Sequence, residues 1–145
     1  MMRHGTVHRA FTLIEILIVV IVLGILAPVV IPQFTDASTD AKLSALQADL
    51  ATIRTQLQLY KLQHNETWPA LATFANQMTL SSKADGTTAA VGTAGFPYGP
   101  YILSVPNNPY TSTATVTAGA ADSSAWYYDE DTGQFRANDT AHVGL

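Results

Sequence analysis

Phe11-Thr12-Leu13-Ile14-Glu15-Ile16-Leu17-Ile18-Val19-Val20 opens an apolar run that continues to Ile31, and Glu15 is the only charge in it. A carboxylate at the centre of a bilayer-spanning helix costs about 2.5 to 3.5 kcal/mol on insertion scales, and such residues face a partner rather than lipid. As a helix rising 1.5 Å per residue, Phe11 to Ile31 would extend roughly 30 Å, the thickness of a hydrocarbon core. Arg3 and Arg9, with His4 and His8, precede the run, while Asp36 and Asp40 follow it. That asymmetry keeps the short N-terminus cytoplasmic and exports the remainder.

Two other readings share parts of this pattern. A secretory signal peptide also has a basic start and an apolar core, but Ile25-Leu26-Ala27-Pro28 lacks the small-x-small cleavage pattern, and the run exceeds the roughly 7 to 15 apolar residues of such a core. A buried helix of a soluble protein is the second. Neither accounts for an acid placed four residues into a sharply started apolar run.

Arg9-Ala10-Phe11-Thr12-Leu13-Ile14-Glu15, followed by an apolar helix, resembles the N-terminal signature of type IV pilins and type II secretion pseudopilins. The resemblance implies that a prepilin peptidase cuts between Ala10 and Phe11 on the cytoplasmic side and N-methylates Phe11. Ala10 stands where the family usually has Gly, and Ala is the next smallest side chain. Processing would create a positive amino terminus in a low-dielectric setting. There Glu15 of a neighbouring subunit would offset the desolvation of both charges, which is how the family uses the acid at this position.

The chain divides by pattern into a leader at 1–10, a transmembrane and assembly helix at 11–32, an amphipathic continuation at 33–65 and a small exported domain at 66–145. Pro28 and Pro32 each remove a helix hydrogen bond. The resemblance implies a bend at Pro32, while an ordinary helix stop at the membrane exit is the alternative. Between Ala37 and His64, Leu43, Leu46, Leu50, Ile53, Leu57 and Tyr60 are spaced three or four apart, a narrow seam suited to packing against the domain that follows.

Tyr60-Lys61-Leu62, His64-Asn65 and Trp68-Pro69, and later Gly99-Pro100-Tyr101 through Pro109-Tyr110, are similar to the helix exit and proline-spaced loop of the major pseudopilins of type II secretion. Asn65 suits a left-handed stop, and Pro69 keeps Trp68 extended, making Trp68 an anchor for the connector. A short helix is predicted over Ala70–Met78 and a surface loop, with room for some strand, over Ser81–Gly95. Thr113, Thr115 and Thr117 alternate with Ala114 and Val116 as a strand. Ala125–Tyr128 and Gln134–Ala137 flank Asp129-Glu130-Asp131-Thr132-Gly133 as a hairpin. The predicted fold is therefore α+β and pilin-like, a long N-terminal helix packed on a small C-terminal antiparallel sheet.

The resemblance also implies a structural calcium in the C-terminal loops. Asp122, Asp129, Asp131 and Asp139 are the available carboxylates, although Asp129-x-Asp131-x-Gly133 is only a fragment of a calcium loop with no Glu at its far end, and Asp-Gly-type turns need no ion, which favours the plain turn. Without cysteines no disulfide stabilises the small domain. Removal of Arg3 and Arg9 leaves five basic residues against eleven acidic ones, with no basic patch interleaved with aromatics, so no nucleic-acid partner is expected. Four histidines, two of them in the leader, and no Gly-x-Ser-x-Gly or phosphate loop give no support to catalysis.

The function implied is that of a structural subunit anchored once in the bacterial inner membrane, with its C-terminal domain periplasmic, that polymerises into a pseudopilus for type II secretion. Its expected partners are copies of itself, the prepilin peptidase, other pseudopilins, inner-membrane secretion proteins and lipid. A type IV pilin for adhesion, motility or DNA uptake is the alternative, and a membrane-anchored exported enzyme a remote one.

Overall fold

The computed structural model describes residues 11–145, with side chains described for all of these except 28–37. The leader at 1–10, and with it Ala10, lies outside the described residues. Pro28 and Pro32 lie within 28–37, inside a helix that continues past both, so the ordinary helix stop considered at the membrane exit is not found there.

In chain order the elements are α1 (Leu13–Gln63), a 3-10 turn (Leu71–Thr73), α2 (Phe74–Thr79), β1 (Ser81–Ser82), β2 (Thr88–Ala89), β3 (Val116–Thr117), β4 (Trp126–Tyr128) and β5 (Phe135–Ala137). They fall into two units, Met1–Asp40 and Ala41–Leu145. In the first, α1 is apolar on every face from Leu13 to Ala27 apart from Glu15 and Gly24, and all of these residues are exposed. Among the described residues no helix is long and apolar enough to cross a membrane. The last four positions of the expected 11–31 span fall on side chains outside the description.

The second unit begins inside α1 because the amphipathic seam of the helix is one wall of that unit's core. Leu46, Leu50, Ile53, Leu57 and Tyr60 are each no more than 2% exposed, whereas Leu43, at the start of the seam, is only half-buried. They pack with Phe74 and Met78 of α2, Trp126 and Tyr128 of β4, and Phe135 of β5 in one cluster. Each large side chain removed from water there stabilises the fold by about 1.5 to 3 kcal/mol before entropy is counted. In α2 the inward positions are Phe74, Gln77 and Met78, and Ala75 is exposed where the apolar pattern placed it inside. Gln77 is tolerated there because its side-chain oxygen accepts from Ala70 N–H (2.8 Å) and its amide donates to the Gly86 carbonyl (3.0 Å).

α1 stops as expected of Asn65. Asn65 and Glu66 both take left-handed conformations (φ 54° and 62°), and Glu66 N–H donates to the Lys61 carbonyl at 3.0 Å, closing the helix end. Trp68 is half-buried, with Lys61 Nζ 4.6 Å from its ring centre, and it packs on Gly133 in the β4–β5 turn. It anchors the connector as predicted.

The sheets are small. β1 and β2 are antiparallel, pairing Ser81 with Ala89 and Ser82 with Thr88. β4 and β5 form the predicted hairpin, with Trp126 opposite Ala137 and Tyr128 opposite Phe135. The strand expected over 113–117 is shortened to Val116–Thr117 and joins β4 in parallel, so the three-stranded sheet is mixed in order β3-β4-β5 rather than wholly antiparallel. The cause lies in residues 118–125, which double back so that Trp126 N–H donates to the Thr115 carbonyl (3.0 Å) and the chain resumes its earlier direction. The buried Asn138 fastens that loop through its amide, which donates to the Ala120 carbonyl (2.9 Å) and Ser124 Oγ (2.9 Å).

Candidate assembly site

The lone acid of the apolar run sits in a reciprocal cap. Thr12 N–H and the Thr12 hydroxyl both donate to Glu15 Oε2 at 2.8 Å, and Glu15 N–H donates to Thr12 Oγ1 at 3.3 Å. Helices leave their first N–H groups without partners, and the pattern Thr-x-x-Glu satisfies two of them at once. The expectation for Glu15 is a neighbour's amino group alone, and the structure adds Thr12 of its own chain. The signal was present as Thr12-Leu13-Ile14-Glu15, immediately before an apolar stretch. The cap occupies one carboxylate oxygen and holds the side chain on Thr12, the residue that follows Phe11, with the second oxygen outside it.

Around this polar knot every large side chain is bare. Phe11 is 82% exposed and Leu13 85%, and Ile14 and Ile16 to Val22 are exposed as well. A helix apolar all round is stable only when its sides are covered by lipid or by other helices, since each large apolar side chain left in water forfeits roughly 1.5 to 3 kcal/mol. The surface is thus adapted to embedding, and Glu15 is the one group on it able to select a charged partner.

The acidic candidates for calcium are split between the two ends of the hairpin, Asp129 and Asp131 at one and Asp122 and Asp139 at the other. Asp129, at the end of β4, accepts from Asp131 N–H (3.0 Å), Thr132 N–H (3.4 Å) and the Thr132 hydroxyl (2.8 Å), so the turn uses both of its oxygens. Asp122 lies at the opposite end of the hairpin, where its N–H donates to the Asn138 carbonyl and its carboxylate accepts from Thr140 N–H (2.9 Å) and the Thr140 hydroxyl. Asp139 pairs with His142 Nδ1 through one oxygen, leaving the other buried without a hydrogen-bond partner. Among the described residues no three acidic or histidine side chains gather as metal ligands. Calcium requires six to eight oxygens, and Asp122 with Asp129 and Asp131 does not fit one such site. The three belong to turns.

The histidines are likewise consumed by packing. His64, 1% exposed, stacks on Tyr60 with ring centres 3.6 Å apart; its Nδ1 bonds the Tyr60 carbonyl (2.8 Å) and its Nε2 the Ser82 hydroxyl (3.0 Å). Burial holds its pKa below the ordinary value of 6.5. His142 lies against Tyr110, whereas the rings beside His64 are those of Tyr60, Tyr98 and Tyr101.

The cations of the second unit are seated rather than free. Lys42, Lys61, Lys83 and Arg136 lie over Tyr110, Trp68, Phe96 and Tyr127 at 6.0, 4.6, 4.5 and 3.9 Å. Arg54 donates to the carbonyls of Phe135 (2.9 Å) and Leu145 (2.7 Å).

Comparison with known proteins places this geometry. Residues 6–27 match the family described as the prokaryotic N-terminal methylation motif, which covers the capped acid and the exposed apolar stretch. The chain is 30% identical over 105 residues to type II secretion system core protein G of Klebsiella pneumoniae, covering 72% of this chain and 71% of that one. The chain belongs to the type II secretion system core protein G family. The family's protein from Pseudomonas aeruginosa is 42% identical over 57 residues, 39% of this chain and 40% of that one. A weaker likeness extends to the type IV major fimbrial protein FimA of Dichelobacter nodosus, 29% identical over 94 residues, 62% of this chain and 60% of that one. No solved structure matches. Membership in the core protein G family agrees with the resemblance read from Phe11–Glu15 and from the helix exit at Tyr60–Pro69.

Proposed function

We infer that the chain is a pseudopilin subunit of a type II secretion system. It is cut between Ala10 and Phe11, N-methylated on Phe11, and polymerised through the apolar part of α1 into a periplasmic filament. The observation that carries the reading is the helix from Leu13 to Ala27, bare on all sides and bearing one charge, Glu15, held at its start. Before assembly, lipid covers this surface and anchors the chain in the inner membrane; in the filament, neighbouring helices replace lipid. The exchange costs little hydrophobic energy, so specificity falls to the polar contact between Glu15 and the amino group of a neighbour's Phe11. The role is structural, with the peptidase, other pseudopilins and copies of the chain as partners.

Mass spectrometry of the chain co-expressed with its peptidase tests the processing, and a mature start other than methylated Phe11 would overturn it. Glu15→Ala is expected to leave membrane insertion intact and to abolish filaments seen by electron microscopy. The likeness to the fimbrial protein favours a second reading, a type IV pilin. Loss of the gene separates the two, since a pseudopilin stops secretion into the medium and a pilin stops adhesion or twitching.

A further inference from the structure

Two patches of the second unit are incomplete within a single chain. Asp49 of α1 is half-buried and lines a groove of about 330 Å³ together with Thr52, Ile53, Tyr101, Ile102 and Pro106. Among the described residues its carboxylate has no ion-pair partner, and burial alone pushes its pKa up, with no cation to bring it back. Leu103, also lining the groove, is 96% exposed, more than any other large apolar side chain described.

The second patch has the opposite character. Lys83 follows β1 and is exposed, with its Nζ 4.5 Å from the Phe96 ring centre; Asp85, two residues on, feels its charge but forms no direct ion pair with it. Val91, 60% exposed, lies in the same turn-rich segment, whose Gly92 N–H donates to Ser81 Oγ (3.1 Å). One patch is thus a carboxylate in an apolar groove, and the other an ammonium on an apolar knuckle.

We propose that these patches are the two halves of one contact between copies of this chain, the groove holding Asp49 in one copy receiving the Lys83–Phe96 knuckle of the next. The proposal rests on the filament reading above. Different patches meeting give a heterologous contact, which builds open helical arrays where a self-complementary contact would stop at a dimer. Position supports the same conclusion. Ser82 is bonded to His64 at the end of α1, fifteen residues beyond Asp49, or roughly 22 Å along the helix. Copies joined this way are therefore staggered along α1, the helix that also carries the apolar assembly surface. A cation arriving at Asp49 restores the interaction its carboxylate lost with water, and Leu103 is covered in the same step.

The absence of native cysteine makes the test direct. The full-length double variant Leu103→Cys with Val91→Cys, assembled in membranes with the secretion apparatus and treated with a short bis-maleimide, is expected to give a ladder of crosslinked multimers. Each single variant is expected to stay monomeric. Asp49→Lys in this background should reduce the ladder about tenfold, since like charges facing across a contact cost several kcal/mol, and adding Lys83→Asp should restore it. Asp49→Asn should weaken the ladder without lowering the melting temperature of the subunit, which separates assembly from folding. Filaments visible by electron microscopy without a ladder would overturn this contact and leave the filament reading standing. Dimers from a single variant would show a self-complementary contact and overturn it too, as would crosslinks only to a protein of different mass. Loss of filaments in the cysteine-free parent would overturn both readings.

Discussion

Glu15 carries two roles that a single substitution can separate. As the acceptor for Thr12 it needs only a side-chain oxygen, and glutamine serves in that position of a capping box as well as glutamate. As the partner of an amino group in a low-dielectric setting it needs a charge. Glu15→Gln is therefore expected to keep the start of α1, read as amide-exchange protection at Ile16 and Leu17 in micelles, and still to abolish filaments. Thr12→Val should do the reverse, fraying the first turn at a cost of about 1 kcal/mol while assembly persists.

His64 supplies a second prediction at this scale. Its folded pKa lies below 6.5, so the unfolded chain binds the extra proton first. Stability from His64 is full above pH 6.5 and is lost as pH falls through 6.5 toward the folded value. Asp85, Asp122 and Asp129 are held below the usual carboxylate range by hydrogen bonds from Thr87, Thr140 and Thr132. Their share disappears only below about pH 3.9, outside the histidine window. Urea midpoints measured between pH 7.5 and 5.5 should fall with pH in the parent and stay flat in His64→Gln.

Among the elements, the β4–β5 turn and the connector after α1 depend on one close approach. Gly133 has φ of 73°, and a Cβ there would come within 2.4 to 2.5 Å of the Trp68 ring. Gly133→Ala is expected to destabilise the second unit by about 1 to 3 kcal/mol in chemical denaturation, through both backbone strain and overpacking. Adding Trp68→Ala should remove the steric part only, so the two changes would be non-additive. The hairpin itself was legible in the sequence from Asp129 to Gly133 between two aromatic-rich runs. Helix α1 was legible too, because its seam repeats every three or four residues from Leu46 to Tyr60. The parallel pairing of β3 was not, since direction is set by side-chain bonds from Asn138, eighteen residues beyond Ala120, and no local pattern encodes them. The cap at Thr12 is hidden for a different reason: in an apolar run the charge of Glu15 stands out, and the uncharged Thr12 does not mark itself as its partner. Asp122 is the opposite case, an acid whose carboxylate accepts from Thr140 within a turn, a pairing that no local pattern announces.

At the scale of the whole molecule, the seated cations decide how finished rods meet each other. Five basic residues against eleven acidic ones in 11–145 make each subunit a net anion, and four of the five cations lie against aromatic faces and the fifth against carbonyls. A polymer of such subunits is a polyelectrolyte whose sides repel over a Debye length of about 8 Å at physiological ionic strength. Light scattering should report lone fibres in dilute buffer and lateral bundles near 1 M salt, where that length shrinks to about 3 Å. Colloidal repulsion would then keep neighbouring fibres apart in a crowded compartment, with no dedicated spacer between them.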